Sequence, residues 1–178
     1  LNTNLILLNS VSSRFPQGLG NDNGLLGKYI AFHNYRVNIF AEFEGLENNF
    51  TTGRRPTAAY IPRFRNVQQQ ETDFLRGYAT YLSGSRKIVM NTEGIGETLK
   101  KGLLNPTYGP WELTGQFMGE TIPKEGSKVT LDSDKKDVWG MPLLKIDVGY
   151  DENDEKMTAD FIEQLTEMFT VAGYKNIC

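Results

Sequence analysis

A run of amide, hydroxyl and carboxylate side chains, Gln69-Gln70-Glu71-Thr72-Asp73, lies directly before an aromatic segment that begins at Phe74. Amides and carboxylates beside aromatic rings suit a sugar, because its hydroxyls hydrogen-bond to the polar groups while its carbon face packs on the rings. Solvated surface loops have the same composition. From the residues alone, this stretch is either a hydroxyl-binding loop or an ordinary surface loop.

His33 is the only histidine of the sequence and lies at the start of a predicted strand. Because imidazole titrates near neutral pH, His33 could act as a general base or contact a cofactor. A single histidine in such a position is more often a hydrogen-bonded structural residue. Within this sequence a site of several imidazoles is excluded, and the single cysteine, Cys178, provides neither a disulfide framework nor a thiolate metal cluster.

Two glycine-containing segments lack the pattern of a phosphate-binding loop. Gly18-Leu19-Gly20 has no third glycine at the required offset and does not follow a predicted strand. Gly27-Lys28 is followed by Tyr29 and has no glycine five positions before Gly27. We therefore expect this chain alone to bind no nucleotide cofactor.

The composition is that of a soluble globular domain, with 178 residues, 39% hydrophobic residues and 23% charged residues. A net charge of −3 without a basic stripe excludes nucleic acid as an expected partner. No apolar run approaches the roughly 18 residues of a membrane-spanning helix. The apolar run Leu5–Leu8 has no basic segment before it, so it predicts the end of a helix rather than a signal peptide. We expect a piece of a longer protein, for which the sequence leaves both the cytoplasm and the periplasm open.

Alternation of apolar and polar residues predicts an antiparallel sheet. Its clearest strand runs from Tyr35 to Phe43, where the odd-numbered residues form the apolar face. Further strands are predicted at 57–64, 74–82, 111–118, 128–131 and 144–150. Pro62 favours an edge position or a short strand for the segment that contains it. A polar loop is predicted at 47–56.

A stripe of apolar residues at helical spacing predicts a C-terminal helix. The stripe consists of Met157, Phe161, Leu165, Met168, Phe169 and Ala172. We expect Asp151 or Asn153 to cap the start of this helix and Gly173 to end it. A shorter helix is predicted between Gly94 and Leu104. The predicted fold class is α+β, with a large antiparallel sheet of about five or six strands and helices packed on one face.

The corner Trp139-Gly140-Met141-Pro142 separates a charged run from the last predicted strand. We expect Gly140 to permit a backbone bend, Pro142 to begin the strand and Trp139 to seal the corner against the core. The strand that follows is expected to bury one face. That face consists of Leu144, Ile146, Val148 and Tyr150.

Several segments resemble motifs of the glucose–methanol–choline family of FAD-dependent oxidoreductases. Residues 26–33, LGKYIAFH, resemble the family segment G-[KRE]-N-[LY]-x-x-H, and residues 1–10 resemble the helix that leaves the flavin domain. Residues 119–131 and 137–142, GETIPKEGSKVTL and DVWGMP, are similar to the family sequence G-E-x-x-P, N-x-V-x-L, D-x-x-G-x-P, especially in the pyranose oxidase branch. The resemblance covers nearly the whole chain.

The resemblance implies two regions: a helical stub and loop that lead out of a flavin domain, residues 1–30, and the family's substrate-binding domain, residues 31–178. The glycine motif that holds FAD would precede Leu1, and the catalytic histidine would follow Cys178. FAD is therefore expected in the full-length protein and not on this chain alone, which supplies no catalytic residue. His33 matches a position that is not the family's catalytic base.

The resemblance also implies four substrate-binding residues. Gln69, Glu71 and Asp73 fall where the pyranose oxidase branch has a Gln-x-His-x-Asp loop, with Glu71 in place of the histidine. Gln116 falls where that branch has an arginine. The substrate implied is a sugar or polyol, bound opposite the flavin domain of the same polypeptide.

Two functions are consistent with these residues. The first is the substrate-binding domain of an FAD-dependent oxidoreductase that oxidises a sugar or polyol hydroxyl by hydride transfer to flavin N5. The alternative is a non-catalytic carbohydrate- or protein-binding β-sheet module.

Overall fold

A computed structural model describes residues 1–46, 49 and 58–178, so the predicted loop at 47–56 lies almost entirely outside the described residues. The elements in chain order are α1 Asn2–Asn9, β1 His33–Asn34, β2 Asn38–Phe43, β3 Ala58–Ile61, β4 Tyr78–Val89, α2 Glu97–Leu104, β5 Thr107–Glu120, β6 Lys128–Lys136, β7 Pro142–Asp147 and α3 Glu152–Val171. These residues form two compact units. The hairpin unit comprises Leu1–His33 with Glu120–Asp151, and the sheet unit comprises Asn34–Gly119 with Glu152–Cys178.

The largest element is a five-stranded antiparallel sheet with the strand order β1-β5-β4-β3, in which β2 also pairs with β5. The α+β prediction is confirmed. The edge position indicated by Pro62 is confirmed as well, because β3 ends at Ile61 and is the last strand of that order.

Helix α3 packs on one face of this sheet and forms the core of the sheet unit. Phe117, Met157 and Phe161 are fully buried, and the rings of Phe117 and Phe161 lie 4.7 Å apart between centroids. Tyr78 packs edge-on against both rings, at 5.5 Å and 5.6 Å. A Cβ atom at Gly115 would lie 2.3 Å from the Leu165 side chain, so the helix approaches the sheet as closely as a glycine permits.

The predicted apolar stripe of α3 is confirmed in its first half and is wrong at its end. Met168 and Ala172 are exposed, whereas Leu165 and Phe169 are buried. The helix ends where predicted, because Gly173 has a φ of +85° and Tyr174 N–H donates to the Phe169 carbonyl, which completes a Schellman motif.

The strand predicted at 74–82 is shifted in the structure, where β4 spans Tyr78–Val89. The polar segment from Ser83 to Arg86 remains in the sheet because each of its residues pairs with β5. The backbone hydrogen bonds with β5 stabilise this segment as a strand, although its apolar and polar residues alternate only weakly. Phe74 lies before the strand and is buried in the core. The strand predicted from Tyr35 begins only at Asn38.

The hairpin unit contains α1 and a two-stranded sheet formed by β6 and β7. Val129 N–H donates to the Gly27 carbonyl at 2.7 Å, and Ile30 N–H donates to the Ser127 carbonyl at 3.0 Å. Gly27 has a φ of +80°, and a Cβ atom there would lie 2.3 Å from the Val129 carbonyl oxygen. Only glycine fits this close approach without strain.

The corner at 139–142 has the expected backbone but not the expected burial. Gly140 has a φ of +83°, Pro142 begins β7, and the Asp137 carboxylate accepts the backbone N–H groups of Trp139 and Met141 at 2.9 Å. Trp139 is 84% exposed, so it does not seal a core among the described residues.

The expected buried face of the last strand is also wrong. The side chains of Ile146, Val148 and Tyr150 are exposed. Strand β7 pairs only with β6, in a sheet separate from the five-stranded one, and two strands offer little surface for burial.

The predicted boundary after residue 30 refers to a flavin domain and stays a prediction. Among the described residues, no helix combines the length and the apolar character that crossing a membrane requires.

The stability of the sheet unit should depend on Phe161. Truncating this fully buried ring removes its contacts with Tyr78 and Phe117, so Phe161→Ala should lower the free energy of unfolding by about 3–5 kcal/mol. Phe161→Asp should prevent cooperative folding, because it places a charge in the core. Urea unfolding checks both, with the exposed neighbour Ile162→Ala as the control, expected to lose about 1 kcal/mol or less. Equal losses at 161 and 162 would contradict this packing.

Candidate functional site

The polar loop between β3 and β4 is organised by one buried side chain, that of Asn66, which is 7% exposed. Its Oδ1 accepts the backbone N–H groups of Glu71 and Thr72, at 2.8 Å and 3.1 Å. Its Nδ2 donates to the carbonyls of Phe74 and Arg76, both at 2.9 Å. The Asn66 backbone has a φ of +51°, a conformation that asparagine tolerates better than most residues. Sequence reasoning missed Asn66.

Two further side chains fasten the same loop through its carbonyl groups. Arg63 donates to the carbonyls of Arg65 and Asn66, and Gln70 donates to those of Thr72 and Phe74. Side chains within the loop thus hold its backbone. The Glu71 and Asp73 side chains are exposed.

Two of the predicted site residues line an open cavity of about 440 Å³ beside α3. Glu71 and Asp73 contribute to its wall together with Arg65, Thr72, Phe74, Lys156, Ala159, Asp160 and Glu163. The Asp73 carboxylate lies 3.4 Å from the Lys156 ammonium group, and the Asp73 side chain is 73% exposed. Gln69 is exposed and is not among the lining residues.

One wall of this cavity contains a hydrogen-bonded ion pair. Arg65 donates two hydrogen bonds to Asp160, at 2.9 Å and 3.0 Å, and the Tyr78 hydroxyl donates to the same carboxylate at 2.6 Å. Burial raises the pKa of Tyr78, and its hydrogen bond to Asp160 raises it further. The hydrogen bond to Asp160 also raises the pKa of Arg65. Since its charge is already matched, we assign Asp160 a structural role.

Gln116 lies on the opposite face of the sheet from α3. Successive residues of a strand point to opposite faces, and Gly115 and Phe117 face α3, so Gln116 faces away from it. Its direct partners across the neighbouring strands are Asn38 and Tyr81. The structure therefore brings Glu71 and Asp73 together but not Gln116.

The face opposite α3, which we call the open face, exposes large aromatic side chains. Phe40, Tyr60 and Tyr81 are 51%, 58% and 42% exposed. The register places these residues on the same side of the sheet as Gln116, beside Asn38 and Thr114. Exposed aromatic residues grouped on one sheet face are typical of a binding surface.

The first turns of α2 and α3, where backbone N–H groups could bind a phosphate, carry acidic residues. Glu97 lies in the first turn of α2, and Glu152, Asp154 and Glu155 lie in that of α3. Acidic side chains there repel phosphate, so neither helix start fits the pyrophosphate of FAD. That this chain alone binds no FAD stays a prediction. Within the described part of the chain, no group of three or more His, Cys, Asp or Glu residues could hold a metal ion.

Comparison with known proteins shows similarity to a dehydrogenase. No family model matches the chain. The chain is 27% identical over 185 residues to a 2-methyl-1,2-propanediol dehydrogenase from Mycolicibacterium austroafricanum. The match covers 97% of this chain and 32% of the dehydrogenase, so the chain spans about a third of the length of that relative.

The loop geometry should depend on the amide of Asn66. Asn66→Asp replaces the Nδ2 donor by a carboxylate oxygen that faces the carbonyls of Phe74 and Arg76. We expect it to lower the free energy of unfolding by about 2–4 kcal/mol, since buried acceptors lose their donor. Gln68→Ala, at an exposed residue of the same loop, should change it by less than about 0.5 kcal/mol. Urea unfolding of both variants checks this, and an unchanged Asn66→Asp protein would contradict it.

The raised pKa of Tyr78 predicts a loss of stability at alkaline pH. Above about pH 10 the unfolded chain releases this proton while the folded chain retains it, so the free energy of unfolding falls as pH rises. The slope due to Tyr78 is about 1.4 kcal/mol per pH unit. The stability of the wild type should therefore fall more steeply above pH 10 than that of Tyr78→Phe. Parallel curves would show that Tyr78 ionises equally in both states.

Proposed function

We propose that this chain is the substrate-binding domain of an FAD-dependent oxidoreductase of the glucose–methanol–choline type, which oxidises a hydroxyl group of a sugar or polyol. The observation that carries the proposal is the match to a diol dehydrogenase over 97% of this chain and only 32% of that enzyme. A match of this extent supports a shared domain of a larger oxidoreductase.

The cofactor part of the proposal rests on the family resemblance of segments in the hairpin unit. The two segments that resemble family motifs, 26–33 and 119–131, are far apart in sequence but hydrogen-bonded to each other. Besides the backbone bonds of Gly27 and Ile30, the Thr121 hydroxyl bonds to the backbone of Phe32, and Lys28 lies 2.9 Å from Glu125.

The proposed role of the chain is to bind and orient the substrate. In such an enzyme, FAD held by another part of the polypeptide would supply the hydride acceptor. The side chains of Gln69 and Asp73 offer acceptors and donors for hydroxyl groups on a loop that Asn66 holds in place. A fixed loop lowers the entropy cost of orienting the reacting carbon.

A second candidate is a binding module without chemistry, for a carbohydrate or a protein. The open face favours it, because exposed tyrosines beside an amide are the groups that carbohydrate-binding surfaces use. This candidate predicts binding without any change in a flavin.

The full-length polypeptide that contains this chain distinguishes the two candidates. We expect it to purify with a flavin absorption band that bleaches when a polyol or sugar substrate is added without oxygen. The isolated chain should be colourless. A colourless full-length protein, or a flavin that no such substrate reduces, would contradict the oxidoreductase proposal.

Loss of the loop side chains should reduce turnover in the full-length enzyme. Gln69→Ala or Asp73→Ala removes a hydrogen bond to a substrate hydroxyl. We expect kcat/KM to fall about 10- to 100-fold, because roughly 1.4 kcal/mol of lost transition-state stabilisation corresponds to a factor of ten. Flavin content and melting temperature should hardly change. Gln68→Ala, on the same exposed loop, is the control and should keep wild-type kcat/KM. Wild-type efficiency in both test variants would show that the loop is only a solvated surface.

A further inference from the structure

We infer that the free edge of β7 pairs with the same edge of a second copy of this protein, so that two β6–β7 hairpins form one four-stranded antiparallel sheet. This inference goes beyond the proposed function, because it concerns self-association and involves neither substrate nor cofactor. In the described part of the chain, β7 pairs with β6 alone, and its second edge has no neighbouring strand. An edge strand with unpaired backbone groups is a template for pairing with another chain.

A hydrogen bond on the far side of β6 shows which backbone groups of β7 lie at the free edge. Val129 N–H donates to the Gly27 carbonyl at 2.7 Å, so the backbone groups of Val129 point away from β7. Val129 is directly opposite Ile146, and the two residues therefore form a non-hydrogen-bonded pair. The N–H and C=O groups of Ile146 consequently point to the free edge. Those of Leu144 and, just past the end of β7, Val148 point the same way, because the direction alternates along a strand.

The apolar face of the hairpin is covered over β6 and uncovered at this edge. Val129 is 1% exposed, whereas Ile146 directly opposite is 51% exposed and Val148 is 42% exposed. Two strands alone offer little surface for burial, and a larger sheet with one continuous apolar face offers more. A second hairpin at the edge of β7 would place further apolar side chains beside Ile146.

The charges on the other face of β7 distinguish the ways in which two copies can pair. Since Leu144, Ile146 and Val148 carry the free backbone groups, hydrogen-bonded pairs must join these residues. If Leu144 lies opposite Ile146 of the second copy, the two Lys145 residues face each other. If Ile146 lies opposite Val148, the two Asp147 residues face each other. Like charges directly opposite each other destabilise a sheet, so both registers are disfavoured.

One symmetric register matches the charges. When Ile146 lies opposite itself, Lys145 lies opposite Asp147 of the second copy, and the twofold axis repeats this pair. Registers centred on Leu144 or Val148 instead place Asp147 opposite an uncharged residue. Asp147 already lies opposite Lys128 within the hairpin, so the second copy extends a row of alternating charges. The free edge is thus complementary to itself in backbone hydrogen bonds, in charge and in apolar side chains.

The test is cysteine cross-linking in the full-length polypeptide that contains this chain, with Cys178→Ser as the background. Directly opposite residues of a hydrogen-bonded antiparallel pair have Cα atoms about 5.5 Å apart, a distance that a disulfide spans. Ile146→Cys should therefore form a covalent dimer on mild oxidation. Leu144→Cys is the matched control and should remain monomeric, because two copies of residue 144 lie roughly 13 Å apart in this register. Non-reducing gel electrophoresis measures the fraction of dimer.

The cross-linking has two outcomes that would overturn the inference. If Ile146→Cys forms no covalent dimer, the edge does not meet a second copy, and the rest of the polypeptide or a different protein covers it. If Leu144→Cys cross-links as fast as Ile146→Cys, the contact lacks the symmetric register. Cross-linking of Leu144→Cys only when it is mixed with Val148→Cys would support the register, since these two residues lie opposite each other in it.

Charge reversal in the Ile146→Cys protein tests the same register by its electrostatics. Lys145→Asp and Asp147→Lys each place like charges opposite each other, and each should slow cross-linking about tenfold because symmetry changes two pairs at once. The double variant restores opposite charges, as does an equal mixture of the two single variants, and both should recover the rate. A double variant that remains as slow as the single variants would contradict the pairing of Lys145 with Asp147.

Discussion

The close packing of α3 against Gly115 determines which surface of the sheet is left for a ligand. A side chain at position 115 would collide with Leu165, so only glycine allows the helix to lie directly on β5. The 20-residue helix buries the side that carries Phe117 and Tyr78. Because side chains alternate along each strand, the same packing leaves Gln116 and Tyr81 on the other side. One face thus stabilises the fold, and the other presents aromatic rings and amides.

A second constraint shapes the polar loop. A buried asparagine can form hydrogen bonds with several backbone groups at once. Asn66 accepts hydrogen bonds from the backbone N–H groups of Glu71 and Thr72 and donates to the carbonyls of Phe74 and Arg76. Arg63 and Gln70 also hold the loop backbone, while Asp73 forms an ion pair with Lys156 of α3. In the proposed enzyme this leaves two polar surfaces, the loop cavity and the open face, which lie on different sides of the sheet. Of these two surfaces, the open face carries the exposed aromatic rings of Phe40, Tyr60 and Tyr81.

Helices and strands that follow from the local sequence pattern could be predicted. Burial that depends on packing against a distant element of the chain could not. Ile39 and Ala41 are buried as the alternation of β2 predicts, and Gly173 ends α3 by its own conformation. Ile146 and Val148 alternate equally well but are exposed, because their strand pairs outside the large sheet. For the candidate site, the residue types at 69–73 and 116 were visible in the sequence. The sequence did not show that these residues lie on two sides of the sheet, because that depends on which face of each strand packs against α3. It did not show the role of Asn66 either, because that role depends on tertiary hydrogen bonds.

The central proposal is that this chain binds and orients the substrate. A crystal structure of the full-length polypeptide with a polyol bound tests it most directly. We expect hydroxyl oxygens of the polyol to lie within hydrogen-bonding distance of the Gln69 and Asp73 side chains. A polyol bound with neither side chain within that distance would contradict the account.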